Sequence, residues 1–160
     1  MNNAVIRTDH KCVVLPPDNR IGVAIPHAVL LNSRGKQYYV APHKGDETRV
    51  LQNIGYDIDA PIMHYYDWRG TTPFASQRDT AAMLTCWPRA YVLSEMGTGK
   101  TRGALYASDF LIEEKSINKT LIIAPLSTLT TVWEAEIFQT FYNRTAAVLH
   151  GTKTQRLKAL

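Results

Sequence analysis

Apolar and polar positions change rhythm near residue 70. Before it, short runs of Val, Ile, Leu and Tyr alternate with turn formers. The runs are Lys11–Leu15, Ile21–Ile25, Ala28–Leu31 and Gln37–Ala41, separated by PPDN, Pro26 and the turn Asn32-Ser33-Arg34-Gly35. That punctuation predicts β-hairpins. Asp46 can then cap a short helix, with Glu47 in its first turn, an apolar face of Val50, Leu51 and Ile54, and Gly55 where a helix usually stops. Tyr56–Gly70 is rich in Tyr and Trp and contains Pro61, so it reads as a connector packed on something, not a free linker. The expectation for residues 1–70 is a small β-rich unit of roughly four strands and one helix. It holds no chemical motif, so its default role is a structural or docking extension.

Beyond residue 70 the period lengthens. Phe74-Ala75-Ser76-Gln77 opens a helical stretch that Trp87-Pro88 ends, because Pro disfavours helix at the residue before it. Tyr91-Val92-Leu93 reads as a short strand, followed by a glycine loop. A helix from about Lys100 to Glu114 comes next, with Ala104, Ala107, Phe110 and Leu111 facing inward. Thr120–Ala124 is a continuous apolar run, as in a strand covered on both faces, and Pro125 ends it. Ser127 or Thr128 can cap a further helix whose apolar positions are Leu129, Val132, Trp133 and Ile137. Ala146–Leu149 reads as a third strand. Strands alternating with helices predict right-handed βαβ units and a parallel sheet, hence an α/β fold.

Composition narrows the function classes. The 160 residues are 45% hydrophobic and 20% charged, the balance of a globular domain and not of a collagen-like or disordered chain. Cys12 and Cys86 form no CxxC pair, and the histidines at 10, 27, 43, 64 and 150 form no HxxxH pair, so neither a disulfide framework nor a zinc site is expected. No apolar run is long enough for a membrane helix, and the first residues lack an apolar signal core, so the expected location is cytoplasmic. Residues 1–70 carry 8 basic and 7 acidic side chains, against 10 and 7 in residues 71–160. Arg144, Lys153, Arg156 and Lys158 lie in a final stretch without any acid, which suits a phosphate-rich partner or simply a solvated end.

Chemistry concentrates in Ser94-Glu95-Met96-Gly97-Thr98-Gly99-Lys100-Thr101. Gly-rich loops between a strand and a helix wrap a triphosphate with backbone N–H groups, and the helix dipole adds its positive end. Lys100 would reach the β- and γ-phosphates of ATP, and the Thr101 hydroxyl would coordinate Mg²⁺. The strict pattern asks for Gly where Ser94 stands, while the GxGK[ST] remainder is intact.

This loop resembles motif I of superfamily-two helicases, and its xEMGxGKT form looks specifically like the Swi/Snf-type DNA-dependent ATPases. Three further segments agree in order and spacing. Pro73-Phe74-Ala75-Ser76-Gln77 is similar to the Q motif. Leu121–Leu129 with Trp133 and Glu136 is similar to motif Ia, and Val148-Leu149-His150-Gly151 followed by Arg156 is similar to motif Ib. The overall pattern resembles the compact Swi/Snf-like helicases carried by bacteriophages, strongly over residues 73–160 and weakly over 1–70. A phage-borne chain would work in the host cytoplasm.

The resemblance implies roles. Gln77 would contact adenine, with Phe74 stacking near it. Gly97, Thr98, Gly99, Lys100 and Thr101 would hold the phosphates and Mg²⁺, with Lys100 and Thr101 as the catalytic pair. Pro125, Ser127 and Thr128 would meet DNA phosphates at a helix N-terminus, and His150 and Gly151 would lie on the same face. Such contacts carry no sequence information, so binding would be salt-dependent and non-specific. Plainer readings stand beside these: Gln77 as an exposed helix residue, Ser127 and Thr128 as caps only, His150 as a loop residue, Trp133 as core, Glu95 as loop-orienting.

In this family ATP hydrolysis also needs an acidic DExx element on a later strand and arginine fingers on a second lobe. Neither is visible here. The expected architecture is therefore a β-rich extension, residues 1–70, before the N-terminal part of a RecA-like lobe, residues 71–160. Such a chain would grip ATP–Mg and the nucleic-acid backbone without hydrolysing ATP, and would pair with the remainder of a DNA helicase or translocase. The alternative is a truncated, non-catalytic nucleotide-, DNA- or partner-binding module. An unrelated P-loop ATPase or kinase is disfavoured by Gln77 and the Pro125–Glu136 segment.

Overall fold

The computed structural model describes residues 4–159. The fold is α/β, with a small antiparallel sheet and helices. Strands β1 (Val5–Arg7), β2 (Cys12–Leu15), β3 (Val29–Ser33) and β4 (Lys36–Pro42) lie in the order β1-β2-β4-β3, every neighbour antiparallel. Val13 pairs with Ala41 and Leu15 with Tyr39. Period-two alternation along β2 turns Val13 and Leu15 into the core. The β3–β4 turn is the expected one: Arg34 (φ 49°) and Gly35 (φ 76°) both take the left-handed conformation, as a two-residue type I′ hairpin requires.

The expected strand Ile21–Ile25 is instead helix α1 (Asn19–Ala24). Asp18 caps it, its side chain accepting the Arg20 N–H at 2.9 Å. Ile21 and Ile25, four residues apart, then share one buried face. The fourth strand is β1, an alternation the sequence reading passed over. Helix α2 (Gly45–Asn53) starts where Asp46 and Glu47 place it, although Lys44 and not Asp46 is the cap residue. α1, α2 and the segment through Ile58 close one core: Val13, Leu15, Ile21, Ile25, Ala41, Leu51, Tyr56 and Ile58.

A second core begins at Ala60. It takes in the connector with α3 (Ile62–Tyr65), then α4 (Ala75–Cys86), α5 (Lys100–Glu113) and Phe141. Trp68 and Phe141 meet Tyr106 edge-on at 5.1 and 5.5 Å, the arrangement aromatic quadrupoles favour. α4 has the expected bounds, with Phe74 before it and Trp87 after. On α5, Ala107 and Phe110 face inward as expected, Ala104 and Leu111 are half-buried, and Tyr106 and Asp109 are buried as well. The two cores are pinned together. Arg49 donates to the Cys86 carbonyl at 3.0 Å, Lys11 pairs with Glu114 at 3.0 Å, and a Cβ on Gly45 would stand 2.5 Å from the Thr85 carbonyl oxygen.

The expected parallel strands are the main departure. Tyr91–Leu93, Thr120–Ala124 and Ala146–Leu149 carry no ladder, and the antiparallel sheet is the only sheet among the described residues. Ile122 rests on the second core, whereas Leu121 is 75% and Ile123 90% exposed. A buried parallel sheet needs cover on both faces, and these segments have it on one. The helix after Pro125 is also not uniform. A short α turn, α6 (Leu126–Thr128), passes into a π-helical stretch, Leu129–Glu134, and then into α7 (Ala135–Thr140). The last element is α8 (Lys153–Ala159).

Candidate nucleotide and nucleic-acid site

The glycine loop runs directly into α5, with Gly99 (φ 74°) as its cap residue and Gly97 at φ 82°. Non-glycine residues pay about 1–2 kcal/mol for that conformation, so the loop path depends on both glycines. Space around them differs. A Cβ on Gly97 would meet nothing within 4 Å, while one on Gly99 would stand 2.2 Å from Gln77 Nε2. Gln77 is therefore seated on the loop. It is 5% exposed, and its Oε1 accepts the Phe74 N–H at 2.9 Å, which fixes the amide at the start of α4. The plain reading of Gln77 as an exposed helix residue falls. Gly103 lets α5 approach α4, since a Cβ there would lie 3.1 Å from the Thr80 side chain.

Lys100 Nζ donates to the carbonyls of Ser94 at 2.9 Å and Glu95 at 2.5 Å, and Thr98 Oγ1 donates to Glu95 O at 3.0 Å. Glu95 thus orients the loop through its backbone. The first turn of α5 holds no acidic residue, and its leading N–H groups have no intrahelical acceptor. An anion meets a fixed positive end there. The features fit ATP–Mg: left-handed glycines where backbone must come close, an ammonium on the loop, and Thr101 in the first turn. No group of three or more metal-ligating side chains occurs among the described residues.

Pro125 is the cap residue of α6; of the two expected caps, Ser127 and Thr128, Thr128 stands at the cap position of the π-helical stretch that follows, without a side-chain cap hydrogen bond. Both lie inside the helix, because Thr128 already spends its N–H (2.9 Å) and its hydroxyl (2.8 Å) on the Pro125 carbonyl. Ser127 is exposed, and its carbonyl accepts the Thr131 hydroxyl at 2.6 Å. Trp133 packs on the second core, as expected. His150 and Gly151 (φ 94°) form an exposed loop into α8. Thr152 opens α8 with a capping box: its N–H reaches Gln155 Oε1 at 2.8 Å and its Oγ1 accepts the Gln155 N–H at 3.3 Å. α8 then presents Lys153, Arg156 and Lys158 to solvent.

The structure thus brings Gln77 onto the loop of Gly97–Thr101. The side-chain bond between α5 and the helix after Pro125 lies further along, at Glu136 in α7. Arg102 Nε donates to Glu136 Oε1 at 2.6 Å, which holds the guanidinium pKa above its ordinary value. His150 and Gly151 make no hydrogen bond to either group among the described residues.

A second brace lies behind α5. Asp109, 2% exposed, accepts from Tyr66 Oη at 2.6 Å, Arg69 Nε at 2.7 Å and Arg144 Nε at 2.5 Å. Burial works to raise its carboxyl pKa, but the three donors outweigh burial and hold it below the ordinary carboxylate value. Arg69 also pairs with Glu113. Sequence reading missed this cluster. Its members are scattered from residue 66 to residue 144 with no periodic signal, and the only hint was an acid on the inward face of a helix.

The site is thus defined by a glycine loop that feeds helix α5, with a buried glutamine seated on that loop. The model of the SNF2-related domain family matches residues 78–159, just over half of the sequence, and the chain belongs to that family. That match supports a fragment of the helicase and translocase class. No curated protein and no solved structure matches the chain. No helix among the described residues is long and apolar enough to cross a membrane.

Proposed function

We propose that residues 71–160 are the N-terminal part of the ATP-binding lobe of an ATP-dependent DNA helicase or translocase, and that residues 1–70 are a β-rich extension braced against it. The carrying observation is the Gln77 amide packed on Gly99, at the mouth of a glycine loop that opens α5. On this reading Gln77 addresses the adenine edge, and the N–H groups of Gly97, Thr98 and Gly99 face the phosphates. Lys100 leaves the Ser94 and Glu95 carbonyls for phosphate oxygens, exchanging neutral acceptors for charged ones. Mg²⁺, when bound, neutralises phosphate charge, and Thr101 supplies it a hydroxyl. Tyr91–Leu93, Thr120–Ala124 and Ala146–Leu149, which form no ladder here, would pair as strands of a parallel RecA-like sheet only in a completed lobe, with the exposed apolar residues at 121 and 123 on its second face.

Pro125, Ser127 and Thr128, with His150 and Gly151 leading into basic α8, are the contacts to the DNA backbone. They position phosphates and do not read bases, so affinity should fall steeply between about 50 and about 200 mM salt and should not depend on sequence. The test is binding of a fluorescent ATP analogue with Mg²⁺ to the wild type and to Lys100→Ala. Loss of at least tenfold in affinity (about 1.4 kcal/mol) supports the reading. Equal affinity removes the phosphate-loop assignment.

A further inference from the structure

The helix carrying the phosphate loop and the helix following Pro125 meet at one ion pair. Arg102, next to Thr101, donates from Nε to Glu136 Oε1 at 2.6 Å and from Nη1 to Thr71 Oγ1 at 2.7 Å. Thr140 Oγ1 donates to the same Glu136 oxygen at 2.8 Å. The Thr71 side of the junction is built as tightly. Tyr106 Oη donates to the Arg69 carbonyl at 2.9 Å, and a Cβ on Gly70 would stand 3.0 Å from Thr140 Cγ2. Glu136 is therefore held by two donors, Arg102 and Thr140.

The chain before Glu136 is held instead by Trp133 on the second core. Leu129–Glu134 is π-helical, the Ala135 N–H being shared between the Thr130 carbonyl, five residues back, and the Val132 carbonyl. A π turn holds one residue more than the α turn it replaces and is an inherently alternative winding. Rewinding it to α would rotate the segment before it by roughly one residue, about 100°. That segment is Pro125–Thr128, where Ser127 is exposed. A fixed end, an alternative winding and an exposed end lie in series along one helix.

We propose that Arg102 and Glu136 are positioning residues that transmit the state of the phosphate loop to Pro125–Thr128, with Leu129–Glu134 as the element that changes its winding. The inference rests on the nucleotide and DNA reading above. Drawing Lys100 off the Ser94 and Glu95 carbonyls rearranges the first turn of α5, where Arg102 sits. Glu136 follows Arg102 because the pair is a charge-assisted hydrogen bond with little freedom. The effect is reciprocal by linkage: whatever factor DNA adds to nucleotide affinity, nucleotide adds to DNA affinity.

The experiment measures affinity for a non-hydrolysable ATP analogue with Mg²⁺, with and without a short mixed-sequence DNA duplex, on the full chain. In the wild type the duplex should tighten analogue binding by about fivefold or more. Glu136→Gln keeps an acceptor for Thr140 while losing the charge. It should bring that ratio to about one and leave affinity without DNA within about twofold of wild type. Hydrogen exchange at Leu129–Glu134 should respond to the analogue in the wild type and not in Glu136→Gln. A Glu136→Gln ratio equal to the wild type's overturns the proposal, as does exchange at 129–134 that ignores the analogue in the wild type. A wild type that binds both ligands without mutual effect overturns the proposal and leaves the binding assignments standing. A wild type whose analogue affinity is unchanged by Lys100→Ala overturns the underlying reading and the proposal with it.

Discussion

Replacing Asp109 with Asn keeps the shape of the side chain and removes the charge that holds two arginines. In the native chain that carboxylate accepts from Tyr66, Arg69 and Arg144 at 2.6, 2.7 and 2.5 Å. The Asn amide has one acceptor oxygen for those three donors and turns an NH₂ group toward a guanidinium. Removing one partner of a buried ion pair costs about 3–5 kcal/mol. The lower end applies here, about 3 kcal/mol, because Arg69 keeps Glu113 and the two arginine side chains are 19% and 27% exposed, leaving water a route to them. At about 2–4 °C per kcal/mol for a chain of this size, Tm should fall by about 6–12 °C. The pH dependence has a definite sign. The folded carboxyl titrates below the ordinary value of about 3.9, so its contribution is complete above about pH 4 and is lost as pH falls further. Thermal unfolding followed by circular dichroism should show a gap between wild type and Asp109→Asn that is constant from about pH 8 to about pH 5 and narrows below about pH 4. A variant within about 1 °C of wild type at neutral pH would refute the reasoning, as would a gap that persists unchanged in acid.

Two further outcomes follow from the same geometry. Gly99→Ala should cost more than Gly97→Ala in urea unfolding: both pay about 1–2 kcal/mol for the left-handed backbone, but only residue 99 also displaces Gln77. Equal midpoints would dismiss the Gln77 contact. His43 donates from Nε2 to the Asp59 carbonyl and accepts the Tyr65 hydroxyl at Nδ1, both at 2.8 Å, and burial lowers its pKa. The unfolded chain then takes up the proton more readily, so stability should decline as pH falls through about 6.5, with a smaller decline in His43→Gln; equal slopes would count against it.

What could be read from the sequence was local. The Arg34-Gly35 hairpin turn, the bounds of α4 and the loop at the head of α5 each rest on a few neighbouring residues whose chemistry admits one backbone path. Errors arose where two local readings competed. Ile21–Ile25 satisfies a strand by composition, but the Asp18 cap and the four-residue spacing of its isoleucines settle it as helix. Thr120–Ala124 reads as a two-faced buried strand, yet whether a ladder forms depends on partners that no local pattern encodes. For the candidate site, the glycine loop was legible because its spacing is set by phosphate geometry. The seating of Gln77 on Gly99 was not legible, since the family resemblance marks Gln77 only as an adenine contact. Arg102–Glu136 and the Asp109 cluster join residues more than thirty positions apart and became visible only once the helices were packed.

The central claim is that the loop from Gly97 to Thr101 receives the phosphates of ATP through its backbone. The most direct measurement is residue-resolved amide hydrogen exchange on the chain, with and without an ATP analogue and Mg²⁺. The account predicts protection at Gly97, Thr98, Gly99, Lys100 and Thr101 that is absent in Lys100→Ala. Analogue binding that leaves these five amides unchanged, or protects a different segment instead, would contradict it.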